Sequence, residues 1–349
     1  MIKFNIFGES HGEAIGVVIE NLPSGIEIDN DFIMSEMKRR QGGNGLTTPR
    51  VESDIPEIIS GVFNGKTTGT PLCAIIKNTN KISEDYSKQK NIPRPSHADF
   101  AASIRYNGFN DYRGGGHFSG RLTAPLVFAG AIAKTILRKK NIFVGSHISK
   151  IMDIEDEKFD SLNISKEVFD KISESSIAVI NDDVANKMIS KIKESAENKT
   201  SVGGVVETAI IGMPCGVGDP DNSIEGIISN NIFKIPAVKG IEFGLGFSFS
   251  DKYGHEVNDQ LQYKNGEIMH LSNNNGGITG GISTGCPIIF RTVFKPTPSI
   301  AMAQKSIDLE KKENVSLEIV GRHDPCVVIR AAVVTESVAA LSICQALDI

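Results

Sequence analysis

Apolar and polar residues alternate from the start of the chain. Phe4 and Ile6 flank Asn5, and residues 2–7 predict a short strand. A glycine-framed turn over 8–12 follows, and the β-branched run Ile15, Val17, Val18, Ile19 predicts a second strand. Residues 32–40 predict a helix capped by Asn30 or Asp31. A polar loop over 41–54 leads to strands near 57–63 and 72–77, and 83–95 is polar and irregular. Ser96 or Asp99 then opens a short helix to about Tyr106. Ser119 precedes a long helix over about 120–140, rich in Ala and Leu and nearly uncharged until Lys134. It ends Arg138, Lys139, Lys140, so a buried helix with its cations at the negative dipole end is expected. Residues 153–200 turn charged and Ser/Asn/Lys-rich, with an amphipathic helix near 184–196, and read as a variable surface region. Apolar runs at 203–212, 238–249 and 286–294 predict strands. A last strand over 326–333 and a helix from about Ser337 complete the reading. Such mixed elements point to α+β layers, and without a linker or repeat 1–349 reads as one domain.

Composition narrows the class. The chain is 40% hydrophobic and 23% charged, which suits a protein with a sizeable core. A net charge of −5 argues against a general nucleic-acid coat. No apolar run near 18 residues stands out, so no membrane span is expected. Five dispersed cysteines (73, 215, 286, 326 and 344) fit a reducing cytoplasm and suggest no disulfide framework or metal site. Arginine is unevenly placed: of 11, seven lie between Arg39 and Arg121 and none between 139 and 290, where lysine carries the positive charge. Codon bias explains the scarcity but not the clustering beside Gly, His and Ser. A planar guanidinium fork there suggests carboxylate or phosphate recognition.

The segment Arg113-Gly114-Gly115-Gly116-His117-Phe118-Ser119-Gly120-Arg121 carries the strongest signal. Its glycines allow close backbone approach, its Ser sits at a helix start, and two Arg bracket it, so it reads as a polyanion site. Gly8-Glu9-Ser10-His11-Gly12 matches the G-x-S-x-G elbow of serine hydrolases, but that motif needs a helix after the turn and this chain continues as strand. His11 in such a turn is also placed to give a proton to a bound anion. Pro93-Arg94-Pro95-Ser96-His97-Ala98-Asp99 sets a second imidazole, expected in the first turn of a helix, beside a carboxylate. Gly321-Arg322-His323-Asp324-Pro325-Cys326 packs Arg, His and Asp into one turn before the expected strand, with Arg330 after it. Two more loops, 275–281 and 295–299, offer backbone N–H groups and hydroxyls suited to a phosphorylated cofactor. Lys38, Arg39, Arg40 and Arg50 flank the 41–54 loop and could close over an anion. A hydrolase using Ser10 and a flavin or phosphate carrier without catalysis remain as alternatives to a proton-transferring enzyme.

In this order the motifs resemble the chorismate synthase family: GESHG at 8–12, KRR and TTPR within 38–50, PRPSHAD at 93–99, and RGGG…SGR at 113–121. GGITGGISTG at 276–285, KPTPSI at 295–300 and GRHDPC at 321–326 complete the set. The resemblance spans essentially the whole chain and is weakest over 153–200. It implies a compact β-α-β sandwich of two similar halves with helices and antiparallel sheets, assembled as a homotetramer. It implies a cytoplasmic lyase with no nucleic-acid or membrane partner. That lyase would convert 5-enolpyruvylshikimate 3-phosphate to chorismate and phosphate by a 1,4-anti elimination requiring reduced FMN, the last shared step toward the aromatic amino acids. NADPH would serve only as an indirect reductant, since no separate nucleotide fingerprint is present.

Carried over by motif, His11 would assist departure of the phosphate and His97 would protonate the reduced flavin. Asp324 would deprotonate flavin N5, and Ser10 would belong to the surrounding hydrogen-bond network. The flavin would lie against His117, Phe118, Ser119, Ala237, Gly280, Lys295, Pro296, Thr297, Pro298, Ser299 and Arg322. Arg39, Arg50, Arg113, Arg121 and Arg330 would hold the substrate's anions, and no metal is implied. The chain departs from the family pattern in having His117-Phe118-Ser119 where Arg-Ser-Ser is common. It also has Gly45 where an Arg, and Pro236 where an Asn, is often found.

Overall fold

The computed structural model describes residues 1–42, 46–47, 53–79, 90–319 and 324–349. A four-stranded antiparallel sheet is built from β1 (Lys3–Gly8), β2 (Ala14–Glu20), β3 (Pro56–Ser60) and β4 (Leu72–Lys77), in the order β1-β2-β4-β3. Lys3 lies opposite Glu20 and Gly8 opposite Ile15, so the 8–12 turn closes the β1–β2 hairpin. Ile15, Val17 and Ile19 share one face of β2 and are fully buried, as period-2 alternation requires. Helix α1 (Asn30–Arg40) is capped by Asp29, not by Asn30 or Asp31, because the Asp29 carboxylate accepts the Phe32 N–H at 2.9 Å. The expected cap at Ser96 is also absent. Ser96 has φ +57°, and α2 (Asp99–Arg105) starts only after Ala98, which leaves His97 in the loop before it.

The anticipated buried helix is α3 (Thr123–Arg138), led in by a tight 3₁₀ turn over Gly120–Leu122. Ser119 Oγ accepts the Arg121 N–H at 3.2 Å at this entrance. The second sheet holds β5 (Phe143–Ile151), β6 (Ile154–Glu155), β7 (Gly204–Ile211), β8 (Val238–Phe243) and β9 (Ile288–Phe294), in the order β8-β9-β7-β5-β6. The apolar run 238–249 is strand only to Phe243. Gly244 and Gly246, both with positive φ, turn the rest into a 3₁₀ segment.

Helices α4 (Lys166–Glu174) and α5 (Asp182–Glu197) occupy the stretch read as surface, yet they bury part of themselves. Phe169 and Ile172 join Phe159, Ala209 and Ile289 in a second apolar cluster. Helix α6 (Ile224–Ile232) and the last helix, α7 (Val328–Ala346), follow. The strand expected at 326–333 is therefore the beginning of α7. Val327, Val328 and Ile329 favour a strand by local propensity, but burial against α3 overrides it.

The layers follow from these contacts. Helix α3 lies on β1, β2 and β4, α7 lies on β5 and β7, α1 touches both helices, and α6 packs on α7. The two long helices thus lie back to back between two antiparallel sheets, an α+β sandwich. They meet closely: a Cβ on Gly130 would lie 2.2 Å from the Ser337 Cβ. The hydroxyls of Thr335, Ser337 and Ser342 bond to carbonyls four residues back, which satisfies them in an apolar setting. Contrary to the expectation that no apolar run is long enough, Gly120–Arg138 and Val328–Ala346 both have the length and hydropathy of a membrane span. The apolar window of each is 89% buried inside the protein.

A charged group sits inside the second sheet. His147 on β5 is fully buried, with Nδ1 3.0 Å from Asp156 and Nε2 3.0 Å from Glu207. Burial disfavours the imidazolium, but the two carboxylates outweigh it and raise its pKa above the ordinary 6.5. A group raised on folding contributes stability that is fully present below pH 6.5 and is lost as pH rises through its folded value. Denaturant midpoints are expected to fall as pH rises above 6.5 in the native chain, and His147→Gln is expected to remove that part of the slope.

Candidate active site

The glycine-rich segment forms a wall between two imidazoles. Gly114, Gly115 and Gly116 have φ of +63°, +123° and +53°. A Cβ on Gly114 would lie 2.0 Å from His11 Cε1, and one on Gly115 would lie 3.4 Å from His97 Nε2. Neighbouring residues of one loop thus touch the imidazoles of two distant motifs. A third imidazole is close, since His117 Nδ1 lies 2.9 Å from the Gly8 carbonyl.

The 8–12 turn is held in place by its neighbours. Ser10 N donates to the Gly116 carbonyl at 3.1 Å, and Asn78 Nδ2 donates to the carbonyls of Glu9 and Gly12 at 3.0 and 3.1 Å. Ser10 Oγ lies 3.1 Å from His11 Nδ1 and 3.4 Å from the Arg113 carbonyl. Ser10 is fully buried and the turn leads into β2, so the strand–turn–helix setting of a hydrolase elbow is absent. Gly114→Ala is expected to push the His11 ring aside. Turnover should drop while the circular-dichroism spectrum stays native, and an unchanged rate would show that the ring's position is immaterial.

His97 is anchored from its own loop. Its Nδ1 lies 2.5 Å from Asp99 Oδ1, and Arg94 forks onto Asp99 through Nε at 2.7 Å and NH2 at 2.8 Å. The same loop meets 295–299. Arg94 NH1 lies 3.4 Å from Ser299 Oγ, and the Lys295 ammonium bonds the Ser96 carbonyl. Burial, and then nearby Lys239, keeps the Lys295 pKa below the ordinary lysine value. Lys295 N donates to the Ala237 carbonyl at 3.0 Å, and Ser201 Oγ donates to the Thr297 carbonyl at 2.7 Å. Val202 N then donates to the Pro325 carbonyl, next to Asp324, whose carboxylate pairs with Arg330. One continuous belt therefore links residues 8–12, 113–119, 94–99, 295–299, 201–202 and 324–330. Phe118 is partly exposed at its rim, 6.3 Å from the Tyr106 ring.

The arginines take a different role from open anion forks. Arg39 donates to Glu336 through both terminal nitrogens, each at 2.7 Å, and to Glu36 at 2.9 Å, while Lys134 joins both carboxylates. Arg121 is buried on Asp54 and on Asn78, and Arg113 folds onto Asp111. Arg330 faces Asp324. Arg50 and Arg322 lie outside the described residues. Gly280 sits with positive φ at the tip of the hairpin that pairs Ile278 with Ser283. Asp54, Asn78, Asp111, Glu336 and Arg94 are positioning groups that the sequence reading did not single out as site residues. Only Arg94 was legible, inside the PRPSHAD run. Asp111 meets Arg113 two residues on, whereas Asp54, Asn78 and Glu336 meet their partners only through the fold. Among the described residues no group of three His, Cys, Asp or Glu side chains could hold a metal ion.

Two imidazoles and two serines therefore face adjacent glycines of one loop on an α+β scaffold, an arrangement with groups able to give or take protons at a bound small molecule. The family model described as Chorismate synthase matches residues 2–347. The chorismate synthase of Thermococcus gammatolerans is 43% identical over 341 residues, covering 97% of this chain and 94% of that protein. Those of Pyrococcus abyssi and Dehalococcoides mccartyi are also 43% identical, over 97% of this chain and 94% and 92% of theirs. A structure titled Crystal Structure of Chorismate Synthase superposes with a TM-score of 0.78 at 30% identity, covering 99% of this chain and 91% of that one. The chain belongs to the chorismate synthase family.

Proposed function

We propose that this chain eliminates phosphate from 5-enolpyruvylshikimate 3-phosphate to give chorismate, with reduced FMN bound against the 295–299 loop and Ser119. The observation that carries this reading is the placement of His11 and His97 against adjacent glycines of one loop. The donor set suits a flavin phosphate and ring. Lys295 supplies a cation, Ser299 and Ser119 supply hydroxyls, and Thr297 Oγ1 is buried with no partner among the described residues. A buried hydroxyl without a partner is costly unless a ligand satisfies it.

Reduced flavin, when bound, lends electron density to the substrate and recovers it, so there is no net redox change. The protein's own groups handle protons and charge. His11, steadied by Ser10, supplies the proton that neutralises the departing phosphate. His97 presents Nε2 toward Gly115 and Ser119 and moves a proton there. Asp324, buried and facing Arg330, accepts a proton. The glycine wall lets ligand atoms approach the backbone and keeps side-chain bulk out. Arg39, Arg113, Arg121 and Arg330, each on a carboxylate here, would meet the substrate's anions by exchanging those partners, and Arg50 and Arg322 would add to them. His117, Phe118, Ala237, Gly280, Pro296 and Pro298 would line the flavin cleft.

The same reading makes 1–349 one catalytic domain with 153–200 as a variable surface region. It places the protein in the cytoplasm as a homotetramer and leaves NADPH the role of an indirect reductant. Five free cysteines support the compartment. Exposed apolar residues on the hairpin of Leu261–Lys264 and Glu267–His270, among them Tyr263 and Ile268, support self-association. The test is an anaerobic assay with photoreduced FMN and the phosphorylated enolpyruvyl substrate, followed by chorismate absorbance. Product formation is expected, and none over many enzyme equivalents overturns the reading.

A further inference from the structure

His97 Nδ1 has two close polar neighbours, Asp99 Oδ1 at 2.5 Å and Arg94 NH2 at 3.2 Å. Donor and acceptor bookkeeping resolves them. Arg94 NH2 already donates to Asp99 Oδ1 at 2.8 Å, and Arg94 Nε and backbone N donate to Asp99 Oδ2 at 2.7 and 3.0 Å. A bare Nδ1 would aim its lone pair at a carboxylate oxygen, which is repulsive at that separation. A protonated Nδ1 donates to Asp99 and makes the short distance favourable. Nε2 is then the nitrogen left toward the Gly115–Ser119 wall, 3.4 Å from the position a Gly115 Cβ would take.

We propose that Asp99 and Arg94 are positioning residues for His97. Asp99 fixes a proton on Nδ1 and aims Nε2 into the cleft, while the Arg94 fork holds the Asp99 carboxylate in place. This rests on the reading of His97 as a proton carrier in the elimination. Burial works against ionisation of Asp99, but hydrogen bonds from Arg94 and His97 win and hold its carboxyl well below the usual carboxylate range. Among the described residues, the charged and titratable groups around His97 are Asp99 and Arg94 from its own loop, Lys295 from the end of β9, and His11 across Gly114–Gly115. Arg94 also reaches Ser299, so the pair ties the orientation of the imidazole to the 295–299 loop.

The experiment is nitrogen-15 NMR of histidine-labelled full-length protein without ligands, with the His97 signals assigned by their loss in His97→Gln. In the native chain the neutral ring is expected to carry its proton on Nδ1, and a dominant Nε2–H tautomer overturns the proposal. Asp99→Ala is expected to raise the share of the Nε2–H tautomer at His97, and an unchanged tautomer balance in that variant overturns the proposal. Should Asp99→Ala fail to fold, the native tautomer decides. If the tautomer change occurs while His97→Ala keeps full turnover, the positioning pair is upheld and the role given to His97 in the reaction fails.

Discussion

His11→Ala is expected to lower turnover with reduced FMN about 100- to 10,000-fold, the range a general acid contributes, while leaving the fold intact. The ring is buried between the 8–12 turn and Gly114, and Ser10 Oγ lies against its Nδ1. No other described imidazole replaces it at that spot, because His97 faces Gly115 and His117 turns to the Gly8 carbonyl. Since the loss is of proton delivery to phosphate, substrates with a more acidic leaving group should suffer less from the substitution. Equal turnover in native and variant protein would remove His11 from the reaction.

Glu336→Gln is expected to destabilise the protein by about 3–5 kcal/mol, the usual effect of deleting one member of a buried ion cluster. Glu336 is buried in α7 and holds Arg39 of α1, Lys134 of α3 and the Ser146 N–H of β5 at once. Removing its charge leaves two buried cations with Glu36 as their remaining described carboxylate. Burial opposes ionisation, but the Arg39 and Lys134 charges prevail and hold the Glu336 pKa down to about 2. A carboxylate lowered on folding contributes stability above its ordinary value of 4.5, and that contribution is lost as pH falls toward 2. Urea midpoints between pH 7 and pH 2 should therefore converge for the native chain and the Gln variant. A constant gap down to pH 2 would show that the charge is not what stabilises the interface.

The early strands were legible because one side of each is buried. The alternation at Phe4 and Ile6 and the β-branched run ending at Ile19 report that directly. Helix α3 was legible from its apolar run and the cations at its end. The start of α7 was not, since Val327 to Ile329 favour a strand locally and only contact with α3, some 200 residues earlier in the chain, makes them helical. Within the site, the imidazoles and glycines could be picked out because short motifs carry them. The use of the arginines could not. Arg39 and Glu336 are 297 residues apart, and Arg121 and Asp54 are 67 apart, so no local pattern distinguishes an arginine aimed at a ligand from one that fastens two helices.

The back-to-back seating of α3 and α7 also sets a timetable. About 190 residues separate the end of α3 from the start of α7, which translation at ~5–20 residues per second covers in roughly 10–40 s. Through that interval the nascent chain has a long, apolar helix finished and the lid for it unwritten. A fragment that stops after α3 is expected to precipitate or bind a chaperone, and high contact order should make refolding of the whole chain slow.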